Sequence, residues 1–379
     1  MFTDLLLPDM KIGFDAKRLF FNGSGLGNYS RNTVRLLAQH APEHKYALFT
    51  PKYRDGYGFA VTDDLEVVAP HGMRAVSGAW WRTFGITRDI RACGLDIYHG
   101  LSNELPANIA KTRVRSVVTM HDIIFVCHPE LYSPIDRKLY TMKYLRSCQK
   151  ADHIIAISRQ TASDLINYWN LPESKISVIY QGCDPVFERR VPEKRRREVA
   201  AKYGLPERFI LSVGTIEERK NLMLTVRAMV EEGLDIDLVA CGRHTRYADQ
   251  VMEYAASHGL GQRVRMLHSV TFDELPAIYQ SASVFVYPSH YEGFGIPIIE
   301  ALNSHVPVIT TRGGVFAETG GNACIYVDPS DSSEMAHAIR TALDADNARE
   351  MIARGTAHAR NFRESTIAEN LLSLYKTLL

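Results

Sequence analysis

Short runs rich in Val and Ile alternate with segments of helical period along the whole chain, the pattern of βαβ units and of parallel sheets covered on both faces. The first half predicts strands at MKIGFDA, YALFT, LEVVA, DIYHG, RSVVTMHD, HIIAIS and ISVIYQG, with helices beginning near Gly27, Pro134 and Ser158. Together these make one doubly wound domain, residues 1–183. The pattern then breaks into DPVFERRVPEKRRREVAAKYGLPER, whose prolines and charge cluster mark the interdomain connection. The Lys194 to Arg197 run, bracketed by Glu193 and Glu198, reads as an exposed helix and not as a nucleic-acid patch. A second doubly wound domain, residues 184–363, follows with strands FILSVG, IDLVACG, RVRMLH, SVFVYP, PVITT and CIYVD and helices from about Asn221, Tyr247, Phe272, Pro297 and Asp331. The terminal helix, residues 364–379, needs only an apolar groove, either on its own domain or back on the first.

The length of 379 residues suits two domains at roughly 150 residues each. With 46% hydrophobic and 23% charged residues, disorder, collagen and coiled coil are excluded and sizeable cores are expected. A formal net charge of +1 gives no electrostatic warrant for a nucleic-acid partner. The charge is uneven: residues 1–183 hold 22 Lys+Arg against 17 Asp+Glu, and the remainder reverses this with 22 against 26. The opening MFTDLLLPDMK lacks the basic start and long apolar core of an export signal. No run approaches the roughly 18 to 20 apolar residues that cross a bilayer. Six singly spaced cysteines fit a reducing cytosol, and a cytoplasmic protein is expected. His121, Cys127 and His128 are better explained by a strand running into a loop than by a metal site. Trp80 and Trp81, close to Arg82, Arg88 and Arg91, suit docking on an anionic bilayer or around a lipid-linked phosphate. A solvated amphipathic helix is the favoured reading, and peripheral contact with the inner membrane surface stays open.

The loops after the strands carry the candidate chemistry, because open α/β sheets bind ligands at the carboxyl ends of their strands. In IGFDAKRLFFNGSGLGNYS, a strand leads through Gly23, Gly25 and Gly27 into a helix, with little side-chain bulk and with amides at the helix start, which suits a phosphate or a sugar. A tight turn without a ligand explains the same glycines equally well. In FILSVGTIEERKNL, a strand ends at Gly214 and Arg219 and Lys220 precede a helix near Asn221. A guanidinium that grips two oxygens beside a mobile ammonium matches a diphosphate better than a carboxylate, unless Glu217 and Glu218 merely balance exposed cations. In SVFVYPSHYEGFGIPIIEALN, Glu292 follows the strand, Gly293 and Gly295 admit a ligand to the backbone, Pro297 opens a helix and Glu300 lies one turn in. Glu300 can equally be an acid favoured by the helix dipole.

The segment E-G-F-G-I-P-I-I-E from Glu292 to Glu300, with R-K-N at Arg219 to Asn221, closely resembles the retaining nucleotide-sugar glycosyltransferases of family 4. Supporting segments are G-S-G-L-G-N-Y, V-T-M-H-D at His121, A-D-H-I-I-A-I-S at 151–158 and V-I-Y-Q-G-C-D at 178–184, so the likeness covers nearly the whole chain. It implies the GT-B fold: two Rossmann-like α/β domains facing a central cleft, with the acceptor in the first and the nucleotide sugar in the second. It also implies that Arg219 and Lys220 hold the donor diphosphate, that Glu300 binds ribose hydroxyls and that Glu292 contacts the transferred sugar. Gly25 and Gly27 would approach the diphosphate and acceptor, while Gly214, Gly293, Phe294, Gly295 and Ile296 complete the donor site. His121 would orient the sugar ring or stabilise charge at the anomeric carbon through its side chain or its carbonyl. There are two departures, His268-Ser269-Val270 and Asn303-Ser304-His305, and the first, at the implied base pocket, leaves GDP, UDP and ADP open as the donor nucleotide.

The residue types suit this chemistry. Negative charge on a departing nucleoside diphosphate can be stabilised by Arg219, Lys220 and nearby helix N-termini without a metal or other cofactor. The spaced acid pairs Asp235 with Asp237 and Asp344 with Asp346 fall at a strand start and a late helix end, away from any such role. Retention can run through a covalent carboxylate adduct or by same-face attack guided by the leaving phosphate. The leading expectation is a retaining, metal-independent hexosyltransferase moving a sugar, with mannose from GDP-mannose as the foremost candidate, onto a glycan or lipid-linked oligosaccharide in polysaccharide or O-antigen synthesis. The alternatives are a nucleotide-sugar epimerase or hydrolase of the same architecture, and a non-catalytic sugar-binding scaffold.

Overall fold

The computed structural model describes residues 9–55, 57–70 and 77–379. The opening segment, where the lack of an export signal was read, lies largely outside them. The chain divides into two compact units, Met1–Gly182 with Glu364–Leu379, and Cys183–Arg363.

The first unit is built on a seven-stranded parallel sheet: β1 (Lys11–Asp15), β2 (Lys45–Phe49), β3 (Leu65–Val68), β4 (Ile97–Gly100), β5 (Arg115–Met120), β6 (His153–Ala156) and β7 (Ile176–Val178). Their order, β3-β2-β1-β4-β5-β6-β7, is that of a doubly wound sheet. Helices cover both faces, so Ile12, Phe14, Val117 and Ile154 are fully buried. Helix starts follow local capping chemistry. Ser133 Oγ accepts from Asp136 N at 3.2 Å ahead of Pro134, and Ser158 Oγ accepts from Thr161 N at 2.9 Å. The helix Glu364–Leu378 belongs to this unit. It buries Ile367, Leu371 and Tyr375, pairs Glu364 with Arg35 at 2.8 Å, and sets Tyr375 OH 2.7 Å from His99 Nδ1.

The tryptophan pair requires correction. Residues 78–92 are helical, widened to a π-type turn over Trp81–Gly85. Trp80 is 55% exposed, but Trp81 is fully buried against Phe49, Ile86 and Tyr98 and donates from Nε1 to Asp89 at 2.6 Å. Arg82 is no surface cation either. It is ion-paired to Asp15 at 2.5 Å and Glu104 at 2.7 Å, carboxylates that outweigh the burial working against its charge.

The second unit has a six-stranded parallel sheet: β8 (Phe209–Val213), β9 (Asp237–Cys241), β10 (Val264–Leu267), β11 (Val284–Tyr287), β12 (Val308–Thr311) and β13 (Cys324–Val327), ordered β10-β9-β8-β11-β12-β13. The basic run near its start lies on the helix Glu193–Tyr203, where Arg197 pairs with Glu193 and Arg195 with Glu198 at 3.7 Å. Both acid pairs have structural work to do. Asp235 and Asp237 flank Arg263, each at 3.3 Å. Asp344 ends the helix Ser332–Leu343 and also caps the start of Ala345–Ala359, accepting from the amides of Asp346 and Asn347 at 3.1 Å. Among the described residues, no cluster of three or more His, Cys, Asp or Glu is placed to hold a metal ion, and no helix is long and apolar enough to cross a membrane. None of the six cysteines forms a disulfide; three are buried and three half-buried.

Candidate functional site

In the second unit, the loops after β8 and β11 meet. The backbone turns sharply at Gly214, φ 142°, and its carbonyl packs so closely on Gly242 that a methyl group there would lie 1.7 Å from Gly214 O. The chain then makes one short turn, Glu218–Lys220, and passes through Asn221 in the left-handed region, φ 55°, into the helix Leu222–Glu231. The two loops are joined by the His290 amide, which donates to Arg219 O at 2.9 Å.

This join brings Arg219, Lys220 and Glu292 onto one point. Glu292 Oε1 receives Lys220 Nζ at 2.5 Å and Arg219 Nη1 at 2.9 Å. Arg219 also donates to Tyr291 O at 2.6 Å and pairs with Glu217 at 2.7 Å. Lys220 donates to Tyr287 OH at 2.6 Å, with its ammonium 4.6 Å from the Tyr287 ring centre. Burial would raise the Glu292 pKa, but Lys220 and then Arg219 overcome it and hold the carboxylate below its ordinary value. Burial lowers Lys220 despite Glu292, and the carboxylates keep Arg219 charged against its own burial. The result is two half-buried cations sharing one oxygen of a buried carboxylate, an arrangement able to accept a larger anion.

Glu300 lies apart from this point. It sits on the helix Ile296–Asn303, whose N-cap is Gly295 at φ 111°, and Oε2 accepts from Tyr279 OH at 2.8 Å. Burial raises its pKa to about 7, so near neutrality it stands between acid and carboxylate. Phe294 is buried with its ring 5.8 Å from that of Phe362, so its side chain serves the core. Ile296 is half-buried in the first helical turn, beside Pro297.

In the first unit, His121 follows β5 and is fixed on all sides. Its amide donates to Asn103 Oδ1 at 2.8 Å, its Nε2 lies 2.9 Å from Leu101 O, and its carbonyl accepts from Thr161 Oγ1 at 3.1 Å. Burial pushes its pKa down to about 4, so the ring is neutral at pH 7. The carbonyl contact at Nε2 then assigns the proton there and leaves Nδ1 as the lone-pair nitrogen. Tyr29 packs edge-on against the ring at 4.7 Å between centres. Tyr29 is carried by the helix Gly25–His40, which therefore places the glycine turn and His121 in one neighbourhood.

The two turn glycines differ. A methyl at Gly27 would sit 1.8 Å from Asn22 O, and its amide is already taken by Ser24 O at 2.9 Å and Asn22 Oδ1 at 3.3 Å. Gly27 is thus required by the chain's own packing, and its amide is not the open donor expected at the helix start. A methyl at Gly25 would meet nothing within 4 Å.

Sequence reasoning missed Tyr287, Tyr279, Asn103 and Thr161, which together with Glu217 and Tyr29 hold the named residues in place. Tyr287 alone offered a signal, as the last residue of a predicted strand ahead of the Glu292 loop.

Two doubly wound parallel sheets, with a cation pair at the loop after the first strand of the second sheet, make up the architecture of the GT-B glycosyltransferases. Residues 23–187 match the family described as Glycosyltransferase Family 4, and residues 195–358 match Glycosyl transferases group 1. The chain is 34% identical over 291 residues to the O-antigen chain mannosyltransferase B of Escherichia coli, covering 74% of each chain. It is 30% identical over 225 residues to the O-antigen chain mannosyltransferase RfbU of Salmonella typhimurium, covering 59% of each. A glycosyltransferase structure from Rickettsia africae superposes with a TM-score of 0.76 at 18% identity, over 98% of this chain and 99% of that one. The chain belongs to the group 1, family 4 glycosyltransferases, and is a glycosyl-transferring enzyme.

Proposed function

We propose that this enzyme transfers mannose from a nucleoside-diphosphate mannose, GDP-mannose foremost, to a glycan or lipid-linked acceptor in the assembly of an O-antigen type of polysaccharide, retaining the anomeric configuration and needing no metal ion. The sugar and pathway follow the two mannosyltransferase relatives. The observation that carries the chemistry is the convergence of Arg219 and Lys220 on Glu292 Oε1. A donor diphosphate takes over the two cations, which then stabilise the charge that grows on the leaving phosphate as the glycosidic bond breaks, the task a divalent ion performs elsewhere. Glu292, released from one or both, turns to the hydroxyls of the transferred sugar. Glu300 accepts from the ribose hydroxyls and Gly293 and Gly295 let the donor approach the backbone. His121, neutral and fixed, presents an acceptor nitrogen or its carbonyl to the sugar and does not act as a general acid.

Same-face attack is the better-supported route to retention. A carboxylate held ionised by two half-buried cations is a weak nucleophile, which disfavours a covalent adduct on Glu292. The acceptor belongs to the first unit. Peripheral contact with the cytoplasmic membrane face is supported by Ile135, Leu139 and Met142, 81%, 39% and 60% exposed and spaced along one side of the helix Pro134–Lys150, with Lys138 and Lys143 nearby.

The test is incubation with GDP-mannose, UDP-glucose or ADP-glucose and a lipid-linked glycan acceptor in chelator, with the product anomer read by NMR. An α-mannoside formed from the α-linked donor is expected; release of free sugar without transfer, or an inverted product, contradicts the proposal.

A further inference from the structure

The first unit contains a cavity of about 430 Å³ that none of the residues assigned to the donor or the transferred sugar lines. It lies at the carboxyl ends of β1, β2 and β4, where Asp15 ends β1 and Pro51 and Glu104 follow β2 and β4, and is closed by the helical turn at Gly78–Phe84 and by the helix Pro134–Lys150. Its two acids are already engaged, since Asp15 and Glu104 both pair with Arg82. Four further cations, Lys17, Lys143, Arg146 and Lys150, line the same space. No ion pair engages any of the four among the described residues. Arg146 and Lys150 both reach the Ala107 carbonyl, Arg146 at 3.5 Å, which sets their heads at one rim. Residues 143, 146 and 150 share one side of their helix. Burial, then Arg82 and Arg18, lowers the Lys17 pKa against the opposing pull of Glu104 and Asp15. The remaining wall is apolar, with Phe84, Leu105, Pro106 and Met142, and Phe84 and Met142 are 46% and 60% exposed at its mouth.

An acceptor recognised only through sugar hydroxyls would need hydrogen-bonding acceptors, and both carboxylates here are occupied. Unpaired cations above an apolar wall match a phosphate or diphosphate ester joined to an apolar group. We propose that this cavity binds the phosphorylated end of the acceptor, with Lys17, Lys143, Arg146 and Lys150 on the phosphate oxygens and the Phe84, Leu105 and Met142 wall against the attached chain. The inference rests on the transferase reading, whose donor half lies in the other unit and fails or stands separately.

The test is calorimetric titration of the full chain with inorganic pyrophosphate and with farnesyl diphosphate, comparing wild type, Lys143→Gln, Arg146→Gln and Lys220→Ala. The proposal expects binding that weakens about tenfold or more in Lys143→Gln and in Arg146→Gln and persists in Lys220→Ala. Farnesyl diphosphate binding more tightly than pyrophosphate assigns the phosphate to a lipid, and equal affinity assigns it to a soluble ester. No binding, binding lost only in Lys220→Ala, or binding indifferent to Lys143 and Arg146 overturns it. Melting curves without ligand check folding, and if Arg146→Gln is unfolded, the exposed Lys143 carries the test. Donor binding is titrated on the same samples: its absence from wild type condemns the transferase reading, and pyrophosphate binding at the cavity is read independently of it.

Discussion

Replacing Glu292 by glutamine should tighten nucleotide binding while slowing transfer. Without a donor, Glu292 Oε1 neutralises Lys220 and Arg219 at 2.5 and 2.9 Å. A diphosphate that takes over these cations must displace the carboxylate or lie beside it. A unit-charge repulsion at 4 Å is worth about 4 kcal/mol at an effective dielectric constant near 20. Rearrangement and water reduce this toward the range of one charge-assisted hydrogen bond, about 1.5 to 3 kcal/mol. Glu292→Gln keeps the shape and removes the competing charge, so the dissociation constant for the matching nucleoside diphosphate should fall about 10- to 150-fold. The unliganded variant leaves two half-buried cations without their shared charged partner, at a cost of about 1 to 3 kcal/mol, which for a unit of this size lowers the melting temperature by roughly 2 to 12 °C. Saturating nucleotide should restore much of that loss, because the diphosphate compensates the cations. Calorimetry at low salt with melting curves, each with and without nucleotide, reads both effects. Weaker or unchanged nucleotide binding in Glu292→Gln would refute the reasoning, since it would mean that the cations which hold Glu292 are not those that hold the diphosphate.

Three other outcomes are expected. Gly27→Ala should lower the melting temperature, as its methyl would strike Asn22 O at 1.8 Å, whereas Gly25→Ala, with nothing within 4 Å, should melt as wild type. Equal melting of the two variants would contradict the packing assignment. Glu300, raised to about 7, binds a proton more tightly folded than unfolded, so its contribution to stability is complete below about pH 4.5 and is lost as pH rises through about 7. Affinity for a sugar nucleotide, whose diphosphate does not titrate there, should rise over the same range because ribose hydroxyls need the carboxylate as acceptor. A pH-independent affinity, or one whose slope survives in Glu300→Gln, would count against that role. Tyr375→Phe removes the 2.7 Å contact to His99 Nδ1, leaving a buried nitrogen without its partner at about 1 to 3 kcal/mol. Differential scanning calorimetry should show that loss, and an unchanged melting temperature would contradict it.

The β-framework was legible because fully buried parallel strands leave unmistakable Val and Ile runs, and all thirteen strands of the two sheets fall on segments singled out by that pattern. The short helices Lys17–Phe21, Ile124–Cys127 and Phe316–Gly320 are too brief to show a helical period. Trp81 and Arg82 misled for a different reason: both turn inward while Trp80 stays out, and no local pattern in the sequence distinguishes the two indoles. That Asp344 ends one helix and also caps the next was not legible, because one helix closes at Leu343 and the other opens at Ala345 with no break in composition. In the site, the glycine- and charge-rich loops announced Arg219, Lys220 and Glu292 as individual residues. Their convergence on a single oxygen, and the supporting Tyr287, depend on two loops about 70 residues apart meeting across β8 and β11.

The central claim, that the second unit grips a nucleotide-sugar diphosphate through Arg219 and Lys220, is most directly tested by titrating wild type and Lys220→Ala with GDP, UDP and ADP in chelator. The account predicts that one nucleotide binds wild type without added metal, and that Lys220→Ala weakens it at least tenfold, the loss of one charge-assisted contact at about 1.5 kcal/mol or more. Failure of all three nucleotides to bind, or equal binding by the variant, would contradict it.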